Sequence, residues 1–120
     1  MKKKCLIPVL LLMFQFIAVS AQVKIKVKNS WKNLAGKQGY YSWTIYLDEA
    51  PAVLNSIKYV EYLLHPTFKY PLQKVENLQR NPGFSYTATG WGEFNVKVKV
   101  VFKDPSKKPV LIDYWLKLGR

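Results

Sequence analysis

The chain holds one cysteine, Cys5, and one histidine, His65, in 120 residues. That count excludes a disulfide framework and leaves no Cys/His set for a zinc site. Carboxylates are also scarce: seven Asp+Glu stand against nineteen Lys+Arg, a formal charge of +12. None of the seven occupies the spacing of an acid/base pair. The stretch Gly36-Lys37-Gln38-Gly39 lacks the spacing of a phosphate loop, and no serine stands in a nucleophile elbow. The chain therefore reads as no enzyme, with neither metal nor cofactor expected. Also missing are a 3.6-residue period, an internal repeat and a linker long enough to separate a second domain.

What is there begins with a leader. Lys2-Lys3-Lys4 precedes an apolar stretch from Leu6 to Val19, followed by Val19-Ser20-Ala21 before Gln22. A positive start, a short apolar core and small residues at the end describe a secretory signal peptide. The rival is an uncleaved anchor. The stretch is broken by Pro8 and Gln15 and falls short of the roughly 20 residues that span a bilayer. Cleavage after Ala21 is therefore expected, giving a signal peptide over 1–21 and one domain over 22–120. No transmembrane span remains after it. The product would be secreted or periplasmic, without cysteine, and with charge reduced to +9 by loss of three lysines.

Beyond Gln22 the period is two. Val23, Ile25 and Val27 alternate with lysines, and Trp43, Ile45 and Leu47 alternate with Thr44 and Tyr46. From Ile57 to His65 the run is apolar on both faces, as a central strand covered twice would be. Phe94, Val96, Val98, Val100 and Phe102 form the clearest strand, and Val110 to Leu118 repeats the pattern. Gly, Pro, Asn and Asp clusters separate the runs, while 66–82 shows no pattern. The expected fold is all-β, an immunoglobulin-like β-sandwich. The lysine rows keep strand faces soluble and discourage edge pairing, or they meet an anionic partner.

Two short segments stand out from that pattern. Leu64-His65-Pro66-Thr67-Phe68 ends one strand, and Gly90-Trp91-Gly92-Glu93-Phe94 opens another. Both fall at strand ends, where sandwich loops gather and sites are built. The glycines around Trp91 suggest a sharp turn and a close backbone approach to a ligand. From the residues alone, Trp91 is either a core anchor or a ligand platform. His65 is equally a satisfied structural histidine.

The order Tyr59-Val60-Glu61-Tyr62-Leu63-Leu64-His65-Pro66-Thr67-Phe68, then Gly90-Trp91-Gly92-Glu93-Phe94, then Val96 to Asp104, resembles the YEATS domain. The His-Pro-Thr-Phe form is most similar to its prokaryotic branch, and the resemblance runs from about Trp31 to Leu118. It implies an immunoglobulin-like sandwich and, from eukaryotic members, a non-enzymatic reader of acylated lysine on histone tails. It further implies an aromatic slot with Phe68 and Trp91 as walls. Thr67 stands where the family usually has a serine whose hydroxyl bonds the acyl amide. His65 would brace the slot, and the Trp91 and Gly92 backbone would meet the acyl carbonyl. The loop Gly39-Tyr40-Tyr41-Ser42 does not match closely enough to give a third wall.

Export separates this chain from histones and nuclear reading. The expected function is thus an exported binding module for an acylated amine, either acyl-lysine on a protein or the N-acetyl group of an envelope ligand. The alternative is a structural or adhesive sandwich with Trp91 and Phe68 in its core and basic faces on an anionic envelope polymer. No specific nucleic acid is expected.

Overall fold

A computed structural model describes residues 24–119, and the expected leader lies outside them. Among the described residues there are seven strands, and the alternating run from Val23 enters the first of them only at Val27. They are β1 (Val27–Asn33), β2 (Tyr41–Leu47), β3 (Ile57–Leu63), β4 (Leu72–Val75), β5 (Tyr86–Gly90), β6 (Asn95–Phe102) and β7 (Val110–Trp115). A one-turn helix α1 (Pro51–Asn55) separates β2 from β3. The strands form two antiparallel sheets, ordered β1-β2-β5 and β4-β3-β6-β7. The all-β expectation therefore stands.

The inward residues of both sheets make one core. Trp43, Ile45 and Leu47 come from β2, and Val96, Val98, Val100 and Phe102 from β6, all at most 5% exposed. Each such aliphatic side chain contributes about 2 kcal/mol by leaving water. The outward partners on β6 include Lys97, whose ammonium lies 3.0 Å from the Asp113 carboxylate of β7. Past the end of β7, Leu116 and Leu118 still reach the core.

Three expectations need correction. β3 is central in its sheet but is not covered twice. Ile57, Val60 and Tyr62 are buried, while Tyr59, Glu61 and Leu63 lie on the outer face and Leu63 is exposed. That face carries Leu63 opposite Leu72 and Glu61 opposite Lys74, so its apolar character is a surface feature. The patternless stretch 66–82 contains β4, whose four residues on a sheet edge are too few to show a period. β5 escapes the alternation as well, because its sequence Tyr-Thr-Ala-Thr-Gly carries almost no hydrophobic signal.

One backbone feature fixes the approach to β5. Phe84 has φ 58° although it is not glycine, and it follows Gly83 at φ 69°. The left-handed region costs a side-chain-bearing residue about 1 kcal/mol or more. Complete burial of the Phe84 ring offsets that cost, and the Tyr62 hydroxyl donates to the Phe84 carbonyl at 2.7 Å. Burial raises the Tyr62 pKa, so this donor stays protonated. Glycine suits position 83 because of its positive φ, and a Cβ there would also sit tightly, 3.1 Å from the Leu47 carbonyl oxygen.

Candidate functional site

Three connections meet at one end of the sandwich: 34–40 between β1 and β2, 64–71 between β3 and β4, and 91–94 between β5 and β6. They enclose a cleft of about 510 Å³, within the range of small-ligand sites. All five residues singled out from the sequence line it: His65, Thr67, Phe68, Trp91 and Gly92. Tyr40, Lys69, Thr89, Gly90, Glu93 and Phe94 complete the lining. Tyr40 supplies the side that the sequence left unassigned.

Beneath the cleft lies an aromatic floor. Trp43, 1% exposed, meets Phe68 at 6.2 Å and Phe94 at 6.0 Å between ring centroids, both edge-on. Phe68 and Phe94 are 5.6 Å apart, and the His65 ring lies 6.0 Å from Phe94. Edge-on arrangements of this kind add about 1 kcal/mol beyond burial. Phe68 is thus half-buried and held by two neighbours. The Trp43 Nε1–H is buried without a partner among the described residues, and a Cβ at Gly90 would lie 3.7 Å from that nitrogen.

The loop carrying Phe68 is tied by its own polar groups. The Thr67 N–H donates to His65 Nδ1 at 3.2 Å, and the Thr67 hydroxyl lies 3.0 Å from the same nitrogen. The Phe68 N–H donates to the His65 carbonyl at 3.0 Å. A ring nitrogen that accepts the Thr67 N–H is unprotonated, which assigns the neutral ring's proton to Nε2. The Thr67 hydroxyl can then donate to Nδ1 and keep its oxygen lone pairs turned to a ligand N–H. His65 positions the hydroxyl and is itself exposed, not a packed core histidine.

Trp91 is different. It is 71% exposed, so the reading of Trp91 as a core anchor is overturned. Gly90 and Gly92 also depart from expectation: neither has a positive φ, and a Cβ at Gly92 would meet nothing within 4 Å. The backbone here does not need glycine for a left-handed turn. The loop is braced from behind by Glu93. Its carboxylate accepts the Trp115 indole N–H at 2.9 Å and the Leu118 N–H at 2.8 Å. Phe94 returns the chain to β6 and accepts the Leu116 N–H at 2.9 Å through its carbonyl.

A family profile described as the prokaryotic YEATS domain matches residues 41–113, which include the 64–71 and 91–94 connections but not Tyr40. The chain belongs to this family. Among curated proteins, this YEATS domain is similar to a protein named AF-9 homolog from Kluyveromyces lactis, 34% identical over 82 residues. The match covers 67% of this chain and 36% of the relative. A protein of the same name from Saccharomyces cerevisiae is 35% identical over 74 residues, covering 60% of this chain and 31% of the relative. This chain thus spans about a third of the length of such relatives. Among solved structures, the Yaf9 YEATS domain bound to H3K27ac superposes with a TM-score of 0.64 at 25% identity, covering 83% of this chain and 80% of that one. The Yaf9 YEATS domain recognizing an H3K122suc peptide gives 0.61 at 27% identity, over 82% and 79%.

Proposed function

We propose that this YEATS domain is a non-enzymatic binding module whose cleft takes an acylated amine, foremost an acyl-lysine side chain. The observation that carries the reading is the pairing of a fixed ring, Phe68, with an exposed ring, Trp91, on one cleft that also holds the Thr67 hydroxyl. The Yaf9 domains that superpose on it were solved with H3K27ac and H3K122suc. A planar amide between two rings gains dispersion on both faces, about 1 kcal/mol for each good contact. Thr67 accepts the amide N–H, and backbone N–H groups of Trp91 and Gly92 serve the acyl carbonyl, which would otherwise be buried unpaired. An unmodified ammonium loses its water in such a cleft without gaining a counter-charge.

Export belongs to the same proposal, supported by the Lys2–Ala21 pattern. Outside the cytoplasm the acyl group is carried by an acyl-lysine protein or by an N-acetylated envelope ligand. Mass spectrometry of the expressed product should show Gln22 as its first residue. Binding is tested by calorimetry with an acetyl-lysine peptide, its unmodified twin and N-acetylglucosamine. Saturable binding of an acetylated probe that Trp91→Ala weakens supports the reading; no binding of any probe sinks it.

The Thr67 hydroxyl against His65 Nδ1 also has the distance of a nucleophile–base pair. Two facts favour positioning over catalysis. The same nitrogen accepts the Thr67 N–H, and among the described residues no third group hydrogen-bonds the imidazole to orient it. Incubation with the acetylated peptide should leave its mass unchanged, and deacetylation lost in His65→Ala would reverse the assignment.

A further inference from the structure

The rim of the cleft is positively charged. Lys69 lines the cleft from the 64–71 connection. Lys37, from the 34–40 connection, holds its ammonium 4.6 Å from the centre of the Tyr40 ring, and Tyr40 also lines the cleft. Among the described residues, the ion pairs are Lys28–Asp48 and Lys97–Asp113, and neither involves a rim lysine. Lys32 adds a third charge. It stands across from Ser42 on β2, and Ser42 stands across from Thr89 in the cleft wall, about 10 Å over two strand spacings.

The one carboxylate in the lining, Glu93, is turned to other work. Both its oxygens accept hydrogen bonds from the C-terminal segment, at Trp115 and Leu118. Other carboxylates are engaged outside the cleft lining: Glu49 with the Lys26 N–H, Asp104 with Ser106, Asp113 with Lys97. A ligand backbone leaving the slot past Tyr40 or past the 64–71 connection therefore meets ammonium groups, whose fields reach about 8 Å at physiological salt.

We infer that the natural ligand is an acylated lysine set in an acidic segment of a protein, with Lys37 and Lys69 reading the Asp or Glu residues that flank it. This rests on the acyl-amine reading of the cleft and adds the charge of the carrier. The slot selects the acyl group, and the rim selects its surroundings. A basic carrier is disfavoured at the same positions.

Three acetyl-lysine peptides test it, flanked by Asp/Glu, by Gly/Ser or by Lys/Arg, titrated by calorimetry at 50 and 500 mM NaCl. The acidic peptide should bind about fivefold tighter than the neutral one at low salt, as two exposed charge pairs allow. The basic peptide should bind weaker than both. High salt should erase the ranking, and the double variant Lys37→Glu/Lys69→Glu should reverse the ratio of acidic-peptide to basic-peptide affinity, whatever its effect on the neutral peptide. Equal affinities for all three peptides, or a ranking unchanged in the double variant, would overturn the inference while leaving the slot intact. Tight binding of the acidic peptide with its lysine unmodified would also overturn it, because charge alone would then suffice. Failure of the neutral acetylated peptide to bind at any salt is the separate failure of the slot.

Discussion

The two aromatic walls of the cleft are made in opposite ways. Phe68 is half-buried, seated on Trp43 and Phe94, and its loop is tied by His65 and Thr67. Trp91 is 71% exposed and takes no part in the ring contacts of the floor. One wall is an extension of the core and is present whether or not anything is bound. The other leaves a large apolar surface in water, and covering it is a gain still open to a ligand in the proposed reading. A slot built this way combines rigidity on one side with most of its unspent hydrophobic area on the other.

Substitutions can break this contrast at graded levels. The largest effect belongs to the shared floor: Trp43→Ala should cost about 4 kcal/mol of stability and abolish binding with it, read by chemical denaturation. Phe68→Ala should act on both properties, lowering stability by about 1.5 kcal/mol and affinity about tenfold. Trp91→Ala should separate them. Its melting temperature should stay within the shift of about 0.5 kcal/mol expected at exposed positions, while affinity for the acetylated peptide falls about fivefold. A Trp91→Ala protein that melts many degrees lower would make both walls structural and end the comparison.

Thr67 sharpens it further. Thr67→Ser keeps the hydroxyl and should bind within about twofold of the parent, whereas Thr67→Ala should lose about threefold for one hydrogen bond. The smallest effect is a control outside the cleft lining. The Ser106 N–H and hydroxyl hold the Asp104 carboxyl below the ordinary carboxylate range. Its stabilisation is complete above the unfolded value near 4, and is lost as pH falls through the lower folded value. Asp104→Asn should flatten the acid limb of the stability curve slightly and leave binding untouched.

The fold was legible where burial follows a strict alternation. β2, β6 and β7 announce themselves because every second side chain turns toward the core. β4 and β5 did not, since an edge strand of four residues and a Thr-rich strand are specified by their partners more than by their own residues. Of the cleft, the two loops with unusual residue strings could be read, including His65 and Trp91. Tyr40, Phe94 and Lys69 could not. Tyr40 comes from a connection whose approach to the cleft depends on the three-dimensional path of the chain. Phe94 reads as the first residue of a strand, yet its ring serves the floor of the cleft. The apolar outer face of β3 misled in the other direction, because hydrophobic runs do not declare which face water sees.

Glu93 joins the binding loop to a stretch of chain that lies outside every ladder. The last strand ends at Trp115 and the family match at residue 113, yet the backbone N–H that completes the brace belongs to Leu118. A domain trimmed at the last strand would lose the buried Leu116 and Leu118 from its core and, with the Leu118 N–H, the brace on its Trp91 loop. Proteolysis between Lys117 and Leu118 should therefore register both as weakened ligand capture and as lower melting, because Leu118 completes the Glu93 brace and is also buried in the core. Residues 116–118 act both as a tether on the mouth of the cleft and as the last contribution to the core, so the working boundary of the domain lies beyond its last strand.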